Sequence, residues 1–94
     1  MKYLNWNEDK NRKLKETRNI SFEEIAFCIK NKLVLKIIKH PNIKKHSDQK
    51  IYVINYNNYT YLVPFVESEN EIFLKTIIPS RKAKRDYNKG DKNG

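Results

Sequence analysis

Polar and apolar residues alternate over residues 2–6, KYLNW, and predict a short strand with Tyr3 and Asn5 on one face and Leu4 with Trp6 on the other. The period then lengthens. Asn7 can cap a helix with Glu8 and Asp9 in its first turn and Lys13, Lys15 and Arg18 further on, the order a helix dipole favours. Leu14 is its one apolar residue beyond the start, so this helix should lie on the surface. A second helix is the best-marked element. Ser21 and Glu24 have the spacing of a capping box, and Ile20 and Ile25 that of a hydrophobic staple. Phe22, Ile25, Ala26, Cys28 and Ile29 then make a broad apolar face that ends near Asn31. Cys28 reads as a core residue.

Residues 33–40, LVLKIIKH, are apolar and rich in β-branched side chains and stop at Pro41. The run fits a strand or a continuation of the helix. After a polar stretch come KIYVINY (50–56), YTYLVPFVE (59–67) and EIFLKTIIP (71–79), whose short connections predict a three-strand antiparallel meander. Pro64 cannot donate to a ladder, which predicts a distortion within the middle strand. Ser80 can cap a last helix from Arg81 to about Tyr87, and residues 88–94 read as a frayed tail. The order is β-α-α-β-β-β-β-α, or a three-strand version of it. It predicts one α+β domain over residues 1–94, an antiparallel sheet with helices packed on one side.

Charge adds a partner to this picture. Twenty Lys and Arg stand against eleven Asp and Glu, a formal charge of +9 on 94 residues. A field of that sign concentrates polyanions, so nucleic acid is the first partner expected; the same surplus also serves solubility or an acidic protein partner. No Lys or Arg occurs between Ile51 and Leu74, while Glu67, Glu69 and Glu71 cluster on one hairpin loop, which predicts a basic face and an acidic tip. A single cysteine allows no disulfide within the chain and no cysteine-based zinc site, which fits a reducing cytosol. The apolar runs are far too short to span a bilayer and no signal-peptide pattern follows Met1, so a cytoplasmic protein with no membrane partner is expected.

Chemistry is narrowed by what is missing: a Gly-rich phosphate loop, an H-E-x-x-H helix, a well-marked carboxylate pair and a ligand cluster. The acidic triplet reads as a solvated loop rather than a Mg²⁺ site, and no metal or cofactor is expected. Residues 76–87, TIIPSRKAKRDY, combine a strand end, a capped helix start and a run of cations. Backbone N–H groups and the helix dipole, with Arg81 and Lys82 beside them, suit a phosphate. Lys84 and Arg85 extend the patch, and Lys75 is expected to project from the preceding strand on the side of Phe73 and Ile77. A solubilising helix would have the same charges.

With RNA as the ligand, cleavage needs no metal. A base takes the proton of a 2′-hydroxyl, which attacks its neighbouring phosphate; cations hold the phosphoryl oxygens; an acid protonates the leaving 5′ oxygen. Arg81 suits the cationic role because its planar fork matches phosphate. Lys75, Tyr87 and His40 are candidates for proton transfer or for stacking on a base, with His46 a weaker one. Tyr52, Tyr56, Tyr59 and Tyr61 also invite stacking, but no Lys or Arg interleaves with them, so they read mainly as sheet and core residues.

Two blocks carry a resemblance. KYLNWNEDKNRKLKETRNISFEEIAF resembles the opening of BrnT-type toxins of bacterial toxin–antitoxin pairs, and FLKTIIPSRKAKRDY is similar to their closing strand and Ser/Ala-Arg-x-Ala helix. By position, Arg81 matches the arginine of that closing block and Ala83 its alanine. Thr17, Arg18 and Asn19 stand where the family often has Lys-His-Gly, and ungapped matching puts Thr76 at its usual arginine, beside Lys75. The resemblance implies a RelE-like fold with two N-terminal helices and a short C-terminal one. It also implies a metal-independent endoribonuclease that inhibits translation; the residues themselves suggest Arg81, Lys75, Tyr87 and His40 at the reaction and Arg18, Lys82, Lys84 and Arg85 on RNA. The implied partner is an antitoxin, typically a ribbon-helix-helix protein, whose complex with the toxin binds operator DNA. The alternative is a basic module that binds nucleic acid or regulates its operon without catalysis.

Overall fold

The N-terminal alternation forms β1 (Tyr3–Trp6), with Tyr3 and Asn5 exposed and Leu4 and Trp6 half-buried. The structure is a computed structural model and describes residues 2–39, 49–83 and 85. α1 (Glu8–Arg18) starts where Asn7 accepts a hydrogen bond from the Lys10 N–H at 3.0 Å. It ends at Asn19, whose left-handed backbone (φ 55°) is a conformation that asparagine tolerates better than most residues. α2 (Phe22–Lys30) carries both halves of the capping box. The Glu24 N–H donates to Ser21 Oγ at 3.2 Å, and the Ser21 N–H donates to Glu24 Oε1 at 2.9 Å. Ile20, Ile25 and Cys28 are all buried in one cluster, as the staple and the apolar face require.

Residues 33–40, open in the sequence between helix and strand, supply β2 (Val34–Lys39). β3 (Gln49–Tyr56) and β4 (Tyr59–Glu67) follow as a hairpin with eight paired positions. Its turn is Asn57-Asn58, with φ 53° and 67°, the left-handed pair that matches the twist of a two-residue hairpin.

The third run of the meander does not form one strand. It divides into β5 (Glu71–Leu74) and β6 (Ile78–Pro79), both antiparallel to β4, and its register slips by one residue between them: Phe65 faces Leu74, whereas Leu62 faces Ile78. Pro64 explains the break. Its carbonyl accepts from the Lys75 N–H at 2.8 Å, so its nitrogen, which has no hydrogen to donate, points to the same neighbour. The expected distortion is thus carried by the partner of β4, while β4 itself pairs with β3 without interruption. The extra residue also inverts the alternation. Leu74 and Ile77 are both fully buried in the core, so Ile77 does not share a side with Phe73 and Lys75 as the unbroken strand would have it.

The sheet order is β1-β5-β4-β3-β2, with β6 beside β4. One pair departs from the antiparallel expectation: β1 runs parallel to β5. α1 and α2 carry the chain from the β1 edge to the β2 edge, a crossover that lets the first strand enter parallel. Leu14, Ile20, Phe22, Ile25 and Cys28 of the helical segment pack on Tyr52, Ile54, Tyr61, Val63, Phe65, Leu74 and Ile77 of the sheet. The rings of Trp6 and Phe22 stack at 5.7 Å, and those of Tyr52 and Phe65 at 4.1 Å. On the opposite face Ile51, Val53 and Thr60 are buried as well. No helix among the described residues is long and apolar enough to cross a membrane. The molecule is a mixed α+β domain.

Candidate nucleic-acid interface

α1 lies on the surface as expected, but its second buried residue, Asn11, is polar and fully enclosed. Its Oδ1 accepts the Phe22 N–H at 2.8 Å and its Nδ2 donates to Glu23 Oε1 at 2.9 Å. One side chain thereby satisfies a backbone donor that the start of α2 leaves without an intrahelical partner, and ties α1 to α2. The donated hydrogen bond, with the Lys15 ammonium 3.7 Å away, holds the Glu23 carboxyl below the usual range. So clamped, α1 presents Lys10, Lys13 and Arg18 along one flank of the molecule.

Four shallow grooves run along that flank and share lining residues in sequence. The first lies among Asn7, Asp9, Lys10, Lys13, Phe73 and Lys75, and the second among Lys10, Lys13, Leu14, Thr17, Arg18 and Thr76. The third, about 370 Å³, is walled by Arg18, Asn19, Asn57, Tyr59, Tyr61 and Pro79. The last, about 670 Å³, is walled by Asn58, Tyr59, Thr60, Pro79, Ser80 and Arg81. Lys10 and Lys13 join the first pair, Arg18 the second, and Tyr59 with Pro79 the third. Five cations, from Lys75 to Arg81, therefore border this run of adjoining grooves, which together form a cationic channel with ridges between its parts. Asp9, the carboxylate in it, is paired with Arg12.

Arg18 is held in place. Its Nη1 donates to the Ile77 carbonyl at 2.8 Å, bridging the end of α1 to the segment that leads into β6. Lys75 sits in the break between β5 and β6, exposed, its ammonium 5.8 Å from the centre of the Phe73 ring. Arg81 is exposed in the helical turn after β6, which begins where Ser80 Oγ accepts the Ala83 N–H at 3.1 Å. Lys75 and Arg81 line no groove in common, nor do Arg18 and Arg81, but the Arg18 and Arg81 grooves share Tyr59 and Pro79. Lys82 and Arg85 are exposed and line none of these grooves. His40, His46, Lys84 and Tyr87 lie outside the described residues.

The acidic loop occupies a separate groove with cations of its own. Glu67, Ser68 and Glu69 line it together with Lys2 and Lys50, and Glu71 accepts from Asn5 Nδ2 at 2.7 Å. The hydrogen bond from Lys2 holds the Glu67 carboxyl below its ordinary value. Among the described residues no three His, Cys, Asp or Glu side chains stand together to hold a metal ion.

The four tyrosines of the hairpin separate by depth. Tyr52 and Tyr61 are buried, and removal from water pushes both phenols up from their usual range; Tyr56 is half-buried. Tyr59 is 57% exposed and stands in the channel. Reasoning from sequence did not single out Lys10 or Lys13 as site residues, and it read Tyr59 mainly as a sheet residue. The lysines had a signal, since the spacing of Lys10, Lys13 and Thr17 places them on one helix face. Tyr59 invited stacking but was set apart by the lack of cations near it in sequence, because those beside it come from Arg18 and Arg81, far away along the chain. Set beside known proteins, the chain matches no family model, no curated protein and no solved structure.

Proposed function

We propose that the protein is an RNA-cleaving toxin of the BrnT kind, a RelE-like domain that binds RNA along the cationic channel and cuts it without a metal. The observation that carries this reading is the run of adjoining grooves from Lys75 through Lys10, Lys13 and Arg18 to Arg81. A row of cations suits the repeating charge of a phosphate backbone, and the net charge of +9 supplies the long-range attraction. In this reading Arg81 holds the reacting phosphate, and Arg18, across Tyr59, holds the next one. The N–H groups of Arg81 receive the charge that builds on the phosphoryl oxygens as the 2′ oxygen attacks. Lys75, at the other end of the channel, holds a flanking phosphate rather than the reacting one.

The proposed partner is an antitoxin, a ribbon-helix-helix protein that covers the channel in the resting complex and carries it to operator DNA. Covering five cations would suppress both attraction to RNA and access to it. The proposed place of action is the cytoplasm.

A second reading has an observation in its favour. Among the described residues, no carboxylate or imidazole lines the two grooves that hold Arg18 and Arg81. The channel would then bind RNA without cutting it. One experiment separates the two: induce the protein in a bacterial host beside Arg81→Ala at matched level, and follow growth and total RNA. Arrest with RNA loss in the parent alone supports the toxin. Normal growth with intact RNA for both, with folded protein in each, refutes cleavage and leaves the binder.

A further inference from the structure

Among the aromatic rings of the hairpin, Tyr59 alone combines high exposure with a place between two arginine-lined grooves. With Pro79 it forms the ridge that separates the Arg18 groove from the Arg81 groove. Lone exposed aromatics are common on protein surfaces and mean little. Here three further features set the ring in position. The left-handed Asn57-Asn58 turn fixes the strand entry directly before it. The buried Tyr61 ring flanks it at 6.0 Å with a 40° tilt. Arg18 is itself anchored on the Ile77 carbonyl, so the cation on that side is held in advance of any ligand.

An aromatic face between two phosphate-binding cations matches the repeat of a single strand, in which base and phosphate alternate along the chain. It does not match a duplex, whose base faces are already stacked on each other and whose exposed surface is sugar and phosphate. We infer that Tyr59 is a stacking platform for one unpaired base, with Arg18 and Arg81 holding the phosphates on either side, so that the channel selects single-stranded over double-stranded RNA. The inference rests on the RNA-binding part of the reading above. It does not depend on cleavage.

The platform explains why one tyrosine of four stays in water. Tyr52 and Tyr61 contribute apolar area to the core, whereas Tyr59 gives up that burial at a position where the strand could turn its side chain against Tyr56, its cross-strand partner. Its contribution should be independent of salt, because stacking releases no counterions. The arginines should carry the salt dependence.

The test is fluorescence anisotropy with a short labelled 2′-O-methyl RNA of non-self-complementary sequence, in which the 2′ oxygen cannot attack. Its blunt duplex and a strand of the same length with abasic sugars are the comparison ligands. Each is titrated at several salt concentrations with the parent, Tyr59→Ala, Tyr59→Phe and Arg18→Ala. Tyr59→Ala is expected to lose about 5- to 150-fold in affinity for the single strand at an unchanged salt slope, with Tyr59→Phe retaining the affinity. Arg18→Ala should lower the slope by about 0.7. The parent should bind the abasic strand as weakly as Tyr59→Ala binds the normal one, and combining the two changes should cost nothing more.

An unchanged single-strand affinity in Tyr59→Ala, with Arg18→Ala weakened, overturns the platform and leaves RNA binding standing. A parent that prefers the duplex, or binds abasic and normal strands alike, overturns it too. A parent that binds no RNA overturns both. Circular dichroism checks the fold of each variant. Should Tyr59→Ala not fold, the abasic strand on the parent still decides.

Discussion

Replacing Asn11 with alanine should destabilise the protein by about 2–3 kcal/mol, a large effect for a residue on a surface helix. The Phe22 N–H it serves is buried, and leaving such a donor without a partner costs about 1–3 kcal/mol. The bond to Glu23 adds less, about 0.5 kcal/mol, because the carboxylate is in contact with solvent. For a domain of this size each kcal/mol lowers Tm by about 4–8 °C, so a fall of about 10–20 °C is expected in thermal unfolding followed by circular dichroism. Asn11→Asp is the informative companion. It keeps an acceptor for the Phe22 N–H but sets a second carboxylate, enclosed, against Glu23, so its loss should shrink on acidification. NMR titration supplies an independent reading: Glu23, held low by Asn11, should return towards its ordinary range in Asn11→Ala. A Tm change equivalent to less than about 0.5 kcal/mol, the ordinary range of surface substitutions, would refute the reasoning. So would an unmoved Glu23 titration. Because α1 carries Lys10, Lys13 and Arg18, the same variant should also weaken the RNA binding proposed above, although it changes no charge, if the clamp positions those cations.

Two further expectations follow from the same structure. Glu67 and Glu23 both have lowered folded pKa values, so their contribution is fully present above the unfolded carboxylate value of about 4.3 and is lost as pH falls through the lower folded values. Urea unfolding between neutral and strongly acidic pH should show this loss, and Lys2→Ala should remove the Glu67 share of it while leaving that of Glu23; an identical pH profile in Lys2→Ala would refute the assignment. Cys28 is buried and its thiol is pushed up by removal from water, so an alkylating reagent at mildly alkaline pH should modify it only after denaturant is added. Rapid labelling of the folded protein, read by mass spectrometry, would contradict its place in the core.

Local rules carried far along this chain. The capping box at Ser21 and Glu24, the Asn7 cap, the alternation of β1 and the core place of Cys28 are short-range patterns, decided by bonds and faces within a few residues. Pro64 announced a break by what it lacks, an N–H, although the break fell on its neighbour. Residues 33–40 stayed open because an apolar run bounded by Pro satisfies two periodicities, and pairing with β3 chose between them. Asn11 was invisible because a polar residue on a polar helix has no pattern to violate; only the approach of α2 encloses it.

The same division holds for the candidate interface. The sign of the net charge, the absence of Lys and Arg from residues 51–74 and the clusters of cations on α1 and from Lys75 onward are all legible in the amino acids alone. Charge is a property of residues and survives without a fold. Whether those clusters make one surface is a matter of distance, and distance was decided by the tertiary structure. The β5–β6 slip sets Lys75 apart from Ile77, and Arg18 reaches the Ile77 carbonyl across the chain. The tight Asn57-Asn58 turn holds Tyr59 at the meeting of the Arg18 and Arg81 grooves. Residues separated by tens of positions become neighbours only when a core forms beneath them, and for that reason the channel belongs to the fold while its charge belongs to the sequence.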